Sequence, residues 1–154
     1  MSLAAVEIKA FVPATDFAQS KEFYIALGFE IPWSSDDLAY VRFGETSFLL
    51  QAFNEPEFVR NFQMHLLVQN VDEWHAQVLS SGVVSRFKVE VGEPQDQPWA
   101  MRDFTLCDPS GVLWRVAQNI PREQMHESAR SEAPLQGLPD RSSAVLHLAV
   151  LLIS

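Results

Sequence analysis

The sequence predicts an α+β fold of two βαβββ modules, whose strands form one or two curved, mostly antiparallel sheets with the helices on the convex face. Three observations carry this expectation. A strand followed by a capped helix near residue 6 recurs 54 residues later. The distance from helix cap to closing glycine is 12 residues in both copies, from Asp16 to Gly28 and from Asn70 to Gly82. Each copy continues into three short strand-like runs, the last two joined by a tight turn: Phe43-Gly44-Glu45-Thr46 in the first copy and Asp108-Pro109-Ser110-Gly111 in the second. Two complete modules in register point to duplication of an ancestral unit.

In chain order, Val6 to Val12 alternates as a strand. Asp16 then opens a helix with Gln19 as its capping-box partner. Phe17, Tyr24 and Leu27 share one face of that helix, and Gly28 ends it. Strands are expected at Phe29 to Trp33, Leu38 to Phe43 and Thr46 to Ala52. A linker, Phe53 to Phe62, contains Pro56. The second module repeats the plan, with a strand at Gln63 to Val68 and a helix capped by Asn70 and Glu73. Val71, Trp74 and Val78 share the apolar face of that helix, and Gly82 closes it. Strands then follow at Arg86 to Val91, Arg102 to Cys107 and Val112 to Gln118. The modules therefore span 6–52 and 63–118 within a single domain, 1–120. A tail, 121–154, belongs to neither module. Its apolar run Ala144 to Ile153 is expected to cover the domain, to pack at a subunit interface, or to be a non-native appendage.

Composition narrows the function classes. The 154 residues are 47% hydrophobic and 20% charged, a mixture that sustains a buried core. Eleven basic residues against 20 acidic ones give a net charge of −9, which argues against nucleic acid as a partner. The balance suits cationic or neutral small ligands. The lone cysteine, Cys107, excludes an intrachain disulfide and a cysteine-based zinc site. No signal-peptide pattern opens the chain, and the ten-residue apolar run in the tail is far short of the roughly 20 needed to span a bilayer. A cytoplasmic protein with no membrane partner is expected.

The paired modules, with Phe23-Tyr24-x-x-Leu27-Gly28-Phe29 in the first helix and Asp108-Pro109-Ser110-Gly111 before the last strand, resemble the vicinal-oxygen-chelate superfamily. That superfamily includes glyoxalase I, extradiol dioxygenases, fosfomycin-resistance enzymes and bleomycin-resistance binding proteins. The resemblance covers residues 6–119. Gly28-Phe29-Glu30, Val41-Arg42-Phe43-Gly44 and Pro98-Trp99-x-x-Arg102-Asp103-Phe104 are most similar to the bleomycin-resistance branch. The resemblance implies four inward-facing ligand positions in the metal enzymes. Here they hold Lys9, Gln63, Arg115 and Phe48, or Leu50 in place of Phe48 if the register slips by two. Charged ammonium and guanidinium groups do not ligate divalent cations, glutamine does so weakly, and phenylalanine not at all. No metal site, cofactor or catalytic residue is therefore assigned. The resemblance also implies a homodimer with grooves between subunits.

Strand alternation places Glu7, Lys9 and Phe11, then Gln63, His65 and Leu67, then Leu113, Arg115 and Ala117 on the concave side. Glu7 reads either as the ion-pair partner of Lys9 or Arg115, or as part of a ligand site. His65 reads either as a satisfied core histidine or as a ligand contact or proton-transfer group. Trp33 and Trp99, beside prolines at a strand end and in a loop, read as ligand platforms or as rim packing. Trp74 and Trp114 read as packing, and Cys107 as a small buried hydrophobe. The ligand-binding set expected is Trp33, Phe48, His65, Trp99, Arg115, Lys9 and Gln63. The function expected is metal-independent sequestration of an antibiotic-like or aromatic small molecule. The alternative is a lyase, isomerase or oxygenase of glyoxalase or dioxygenase type, either with a displaced metal or metal-free.

Overall fold

Both helix caps form from the side chains expected to make them. In a computed structural model, which describes residues 3–124, the Asp16 carboxylate accepts from the backbone N–H of Gln19 at 3.0 Å. The Asn70 side chain accepts from that of Glu73 at 3.1 Å. These caps open α1, Phe17–Leu27, and α3, Val71–Ser80. Gly28 closes α1 at φ +108°, a left-handed conformation that a side chain rarely adopts.

The first module contributes β1, Phe11–Ala14, β2, Glu30–Ser34, β3, Leu38–Phe43, and β4, Thr46–Ala52, in the sheet order β1-β4-β3-β2. The second contributes β5, Gln63–Leu67, β6, Gln95–Gln97, β7, Met101–Cys107, and β8, Leu113–Asn119, in the order β5-β8-β7-β6. In each sheet the first strand runs parallel to the last, and the remaining pairs are antiparallel. The topology is the expected duplicated βαβββ plan, arranged as two four-stranded mixed sheets.

Three local expectations are corrected. The first strand begins at Phe11, not Val6, and Val6 and Ile8 are 99% and 93% exposed. Their alternation is strand-like, but among the described residues they find no sheet surface to cover. The linker folds into a short helix, α2, Pro56–Arg60, with proline at its start, where the missing N–H costs nothing. The run from Arg86 to Val91 is not a strand. Gly82, left-handed at φ +77°, ends α3 and starts a further short helix, α4, Val83–Phe87. Val83, Val84 and Phe87 recur at helical spacing, and Phe87 stacks edge-on against Phe23 of α1 at 5.5 Å. The β-branched composition loses to that tertiary contact, and the sheet position passes to Gln95–Gln97.

The helix-facing side chains of both sheets converge on one core. Phe48 of β4 lies 5.3 Å from Trp114 of β8, and Tyr24 of α1 contacts both, at 5.1 and 5.9 Å. The aromatic contact is pinned by polar bonds. The Tyr24 hydroxyl donates to Asp108 Oδ2 at 2.6 Å and accepts from Trp114 Nε1 at 3.0 Å. Asp108 Oδ1 accepts three backbone N–H groups, from Ser110, Gly111 and Val112, each at 2.9 Å. One carboxylate thus shapes the β7–β8 turn and fastens the first module to the second. Burial, and then the neighbouring Asp108, push the Tyr24 phenol well above its usual range. Burial also raises Asp108 against the lowering effect of its hydrogen bonds.

The chain divides into two units, Met1–Pro121 and Arg122–Ser154, and every strand and helix named above lies in the first. The tail from residue 125, with its apolar run Ala144 to Ile153, falls outside the described residues. Among the described residues no helix is long and apolar enough to cross a membrane.

Candidate functional site

With one face of each sheet packed into the core, the opposite faces are left open, and Phe11, Trp33 and Leu67 stand exposed there. On the first module, cross-strand register puts Phe11, Leu49, Tyr40 and Trp33 on one rung. Residues paired directly across a ladder share a face. Lys9 lies over this surface, its ammonium 5.3 Å from the Tyr40 ring centre and ion-paired to Glu7, which also accepts from Ser47. Of the two partners considered for Glu7, Lys9 is the one it takes.

The corresponding rung of the second module is polar. Phe11 plus 54 is His65, which pairs with Arg115, which pairs in turn with Thr105. Gln63 is one same-face step along β5 from His65 and is paired with Leu113. The Arg115 partner is Asp103, on the diagonal position of β7: Nη1 donates to Oδ2 at 3.2 Å. Gln97 Nε2 holds the other oxygen, Oδ1, at 2.9 Å. The Asp103 side chain is 5% exposed and that of Arg115 39%. The acid is therefore sunk in the sheet, and the guanidinium reaches out from it. Asp103 was not among the residues expected, although a carboxylate in the middle of a strand signals a partner, because aspartate is depleted there.

Phe48 departs from the expected set. It is 2% exposed and points into the aromatic core, and Leu49 occupies the position equivalent to Arg115. The cause is a difference in turn length. Phe43 pairs with Thr46 across a two-residue turn, whereas Cys107 pairs with Leu113 across Asp108 to Val112. Counting from the turn glycine therefore runs one residue out, and a shift of one flips a side chain to the other face. Trp99 stands half-exposed at the tip of the β6–β7 turn, next to Ala100, which adopts φ +63°. Trp33 and Trp99 are both surface aromatics, on the first and second modules respectively.

Other titratable groups are engaged elsewhere. Arg102 binds Asp72 and Asp96, tying β7 to α3 and β6 on the opposite face. Cys107 faces the open side, but burial, followed by Glu90 and Asp108, pushes its thiol upward, which keeps it protonated and a poor nucleophile. A separate groove of about 630 Å3 runs between the β3–β4 turn and the start of α3, lined by Phe43, Thr46, Leu66, Glu73 and Trp74 among others. None of the expected site residues lines it. Among the described residues no three His, Cys, Asp or Glu side chains converge to hold a metal ion.

This duplicated architecture matches a known sequence profile, that of the Glyoxalase/Bleomycin resistance protein/Dioxygenase superfamily, over residues 7–116. The chain belongs to this superfamily. Among solved structures, a bleomycin-binding protein complexed with bleomycin superposes with a TM-score of 0.64 at 23% identity, covering 75% of this chain and 99% of that one. The bleomycin-binding protein of the bleomycin producer Streptomyces verticillus gives 0.65 at 18% identity, covering 79% and 100%. Lactoylglutathione lyase from Agrobacterium tumefaciens gives 0.55 at 16% identity, covering 75% and 95%. At these identities the likeness is one of fold, and the superfamily fold carries both binding proteins and an enzyme. No curated protein matches the sequence.

Proposed function

We propose that the chain is a metal-independent small-molecule-binding protein that sequesters a flat, partly apolar ligand, antibiotic-like or aromatic, against its open sheet faces. The observation that carries this reading is the donor chemistry of those faces. Where the metal enzymes of the superfamily set ligands, this chain has Lys9, Gln63, Leu49 by the observed register, and an Arg115 already paired to a buried acid. None of these is a competent partner for a divalent cation. What the faces offer instead is stacking surface in Phe11, Tyr40 and Trp33, with polar anchors in His65, Arg115 and Gln63, and Trp99 at a turn tip. Aromatic walls with a few fixed polar groups are the usual make-up of a small-molecule site. The likeness in fold to bleomycin-binding proteins supports the same reading.

The chain acts as a homodimer. A second copy gives the exposed Val6 and Ile8 a surface to meet. Light scattering at micromolar concentration is expected to return twice the chain mass, and a monomer mass contradicts the assembly. The binding reading is tested by calorimetric titration of bleomycin and a panel of planar aromatic antibiotics. Saturable one-to-one binding per chain that weakens in Trp99→Ala and Arg115→Ala supports it. Turnover of glutathione hemithioacetals or catechols, dependent on added metal, overturns it in favour of an enzyme.

A further inference from the structure

We infer that the open face of the second module is an oxyanion anchor: Arg115, held from behind by Asp103 and flanked by His65, takes the carboxylate or phosphate of a planar aromatic ligand. The inference rests on the binding reading above and names the ligand chemistry of that site. It runs against the overall charge of −9, which on its own favours cations.

The geometry of the guanidinium carries the argument. Its single hydrogen bond among the described residues is from Nη1 to Asp103 Oδ2. That bond leaves the edge formed by Nε and Nη2, two parallel donors spaced to grip both oxygens of a carboxylate or phosphate. Asp103 cannot compete for this edge, because Gln97 fixes its other oxygen and the side chain is sunk in the sheet. The acid orients the arginine while the guanidinium remains 39% exposed. His65 is the direct cross-strand neighbour of Arg115, and Thr105 flanks it on the other side, so an imidazole and a hydroxyl stand ready as further donors on the same rung. Besides Asp103, the pairing brings Glu90 to this face, opposite Cys107 and one same-face step beyond Thr105, so it is the vacant donor edge of Arg115 that selects the anion. Asp96 and Asp72 are committed to Arg102 on the opposite face. The open fork of Arg115 therefore favours an anion although the whole molecule does not.

The test uses the full chain and four probes: the isosteric set benzoate, neutral benzamide and cationic benzamidine, together with phenyl phosphate. Binding is followed through the Arg115 Nε–H and His65 ring signals in NMR titrations. Benzoate and phenyl phosphate are expected to shift both signals, with benzamide roughly tenfold weaker or more and benzamidine leaving them unmoved. The tighter of the two anions identifies the group as carboxylate or phosphate. Arg115→Gln is expected to abolish the response of His65, and Arg115→Lys, which keeps the charge without the fork, to weaken it. Because Arg115→Gln strands the buried Asp103, the double variant Asp103→Asn/Arg115→Gln removes both charges together and is expected to show the same loss while folded. Benzamidine moving these signals as strongly as benzoate, or full anion affinity in the double variant, overturns the oxyanion anchor and leaves the binding reading standing. If none of the four probes moves either signal, the anchor is overturned, and the binding reading is decided separately by the antibiotic titrations above.

Discussion

The two modules share helices, caps and strand order, and differ most on the face that neither helix covers. The first module shows that face as Phe11, Leu49, Tyr40 and Trp33, the second as His65, Arg115 and Thr105. On the covered face both copies kept large apolar groups, because Phe48 and Trp114 must fill the same core. Packing constrains one side of a duplicated sheet and leaves the other free to diverge. The residues that set the modules apart are therefore the ones to read for function.

The sharpest break between the faces is energetic. Trp114→Ala removes an aromatic that touches Tyr24, Phe29 and Phe48 and donates to the Tyr24 hydroxyl. It is expected to cost roughly 3–5 kcal/mol in urea unfolding. Trp33→Ala, the same change on the open face, is expected to stay within about 0.5 kcal/mol. A large loss for Trp33→Ala would mean that the face is covered in the folded protein.

Binding reverses the order. Trp33→Ala, Trp99→Ala and Arg115→Ala are each expected to lose on the order of 1–3 kcal/mol of ligand affinity by calorimetry. Arg115→Ala also costs some stability, less than a fully buried pair would, because its guanidinium reaches solvent. Trp74→Ala lines the separate groove beside Phe43 and is expected to leave affinity unchanged in the folded fraction. Loss of binding in Trp74→Ala alone would move the site from the open faces to that groove.

A smaller asymmetry lies in the helices. His75 of α3 is only 8% exposed and packs on Phe104, and among the described residues its Nε2 has no hydrogen-bond partner, with Glu93 standing 3.8 Å away, beyond bonding reach. His75→Leu is expected to raise stability by about 1 kcal/mol. A loss would show that the imidazole has a partner.

The weakest effect is a pH dependence from the staple between modules. Burial raises Asp108 above an ordinary carboxylate, so the folded state takes up its proton before the unfolded chain does. Its contribution to stability is therefore greatest below the unfolded value, near 4. It falls as pH rises to the raised folded value and is constant above that. Wild type compared with Asp108→Asn, by thermal unfolding at stepped pH, is expected to gain relative stability as pH falls through that window. The opposite slope would show that the hydrogen bonds to Tyr24 and the turn amides outweigh burial.

Sequence reading served best where a signal is local. Both caps are side-chain-to-backbone bonds spanning three residues, and both sit where Asp16 and Asn70 indicated. The alternation of β5 and β8 placed His65 and Arg115 on one face, and their register makes them neighbours. Reading failed where a distant contact decides. Arg86 to Val91 reads as a strand, but its first residues belong to a helix, Val83–Phe87, whose Phe87 packs on Phe23. Val6 and Ile8 alternate correctly with nothing among the described residues to pack against. Phe48 was misplaced by a single residue of turn length. The role of Asp103 lies in a diagonal contact with Arg115 that periodicity within one strand does not reveal.

The central claim is that the open faces bind a ligand through side chains and not through a metal. Its most direct test is elemental analysis of the full-length protein purified without chelators, alongside a ligand titration of the same sample. The account predicts metal far below one equivalent per chain and ligand affinity unchanged by later treatment with a chelator. One equivalent of zinc, nickel, manganese or iron per chain, with binding lost on its removal, would contradict it.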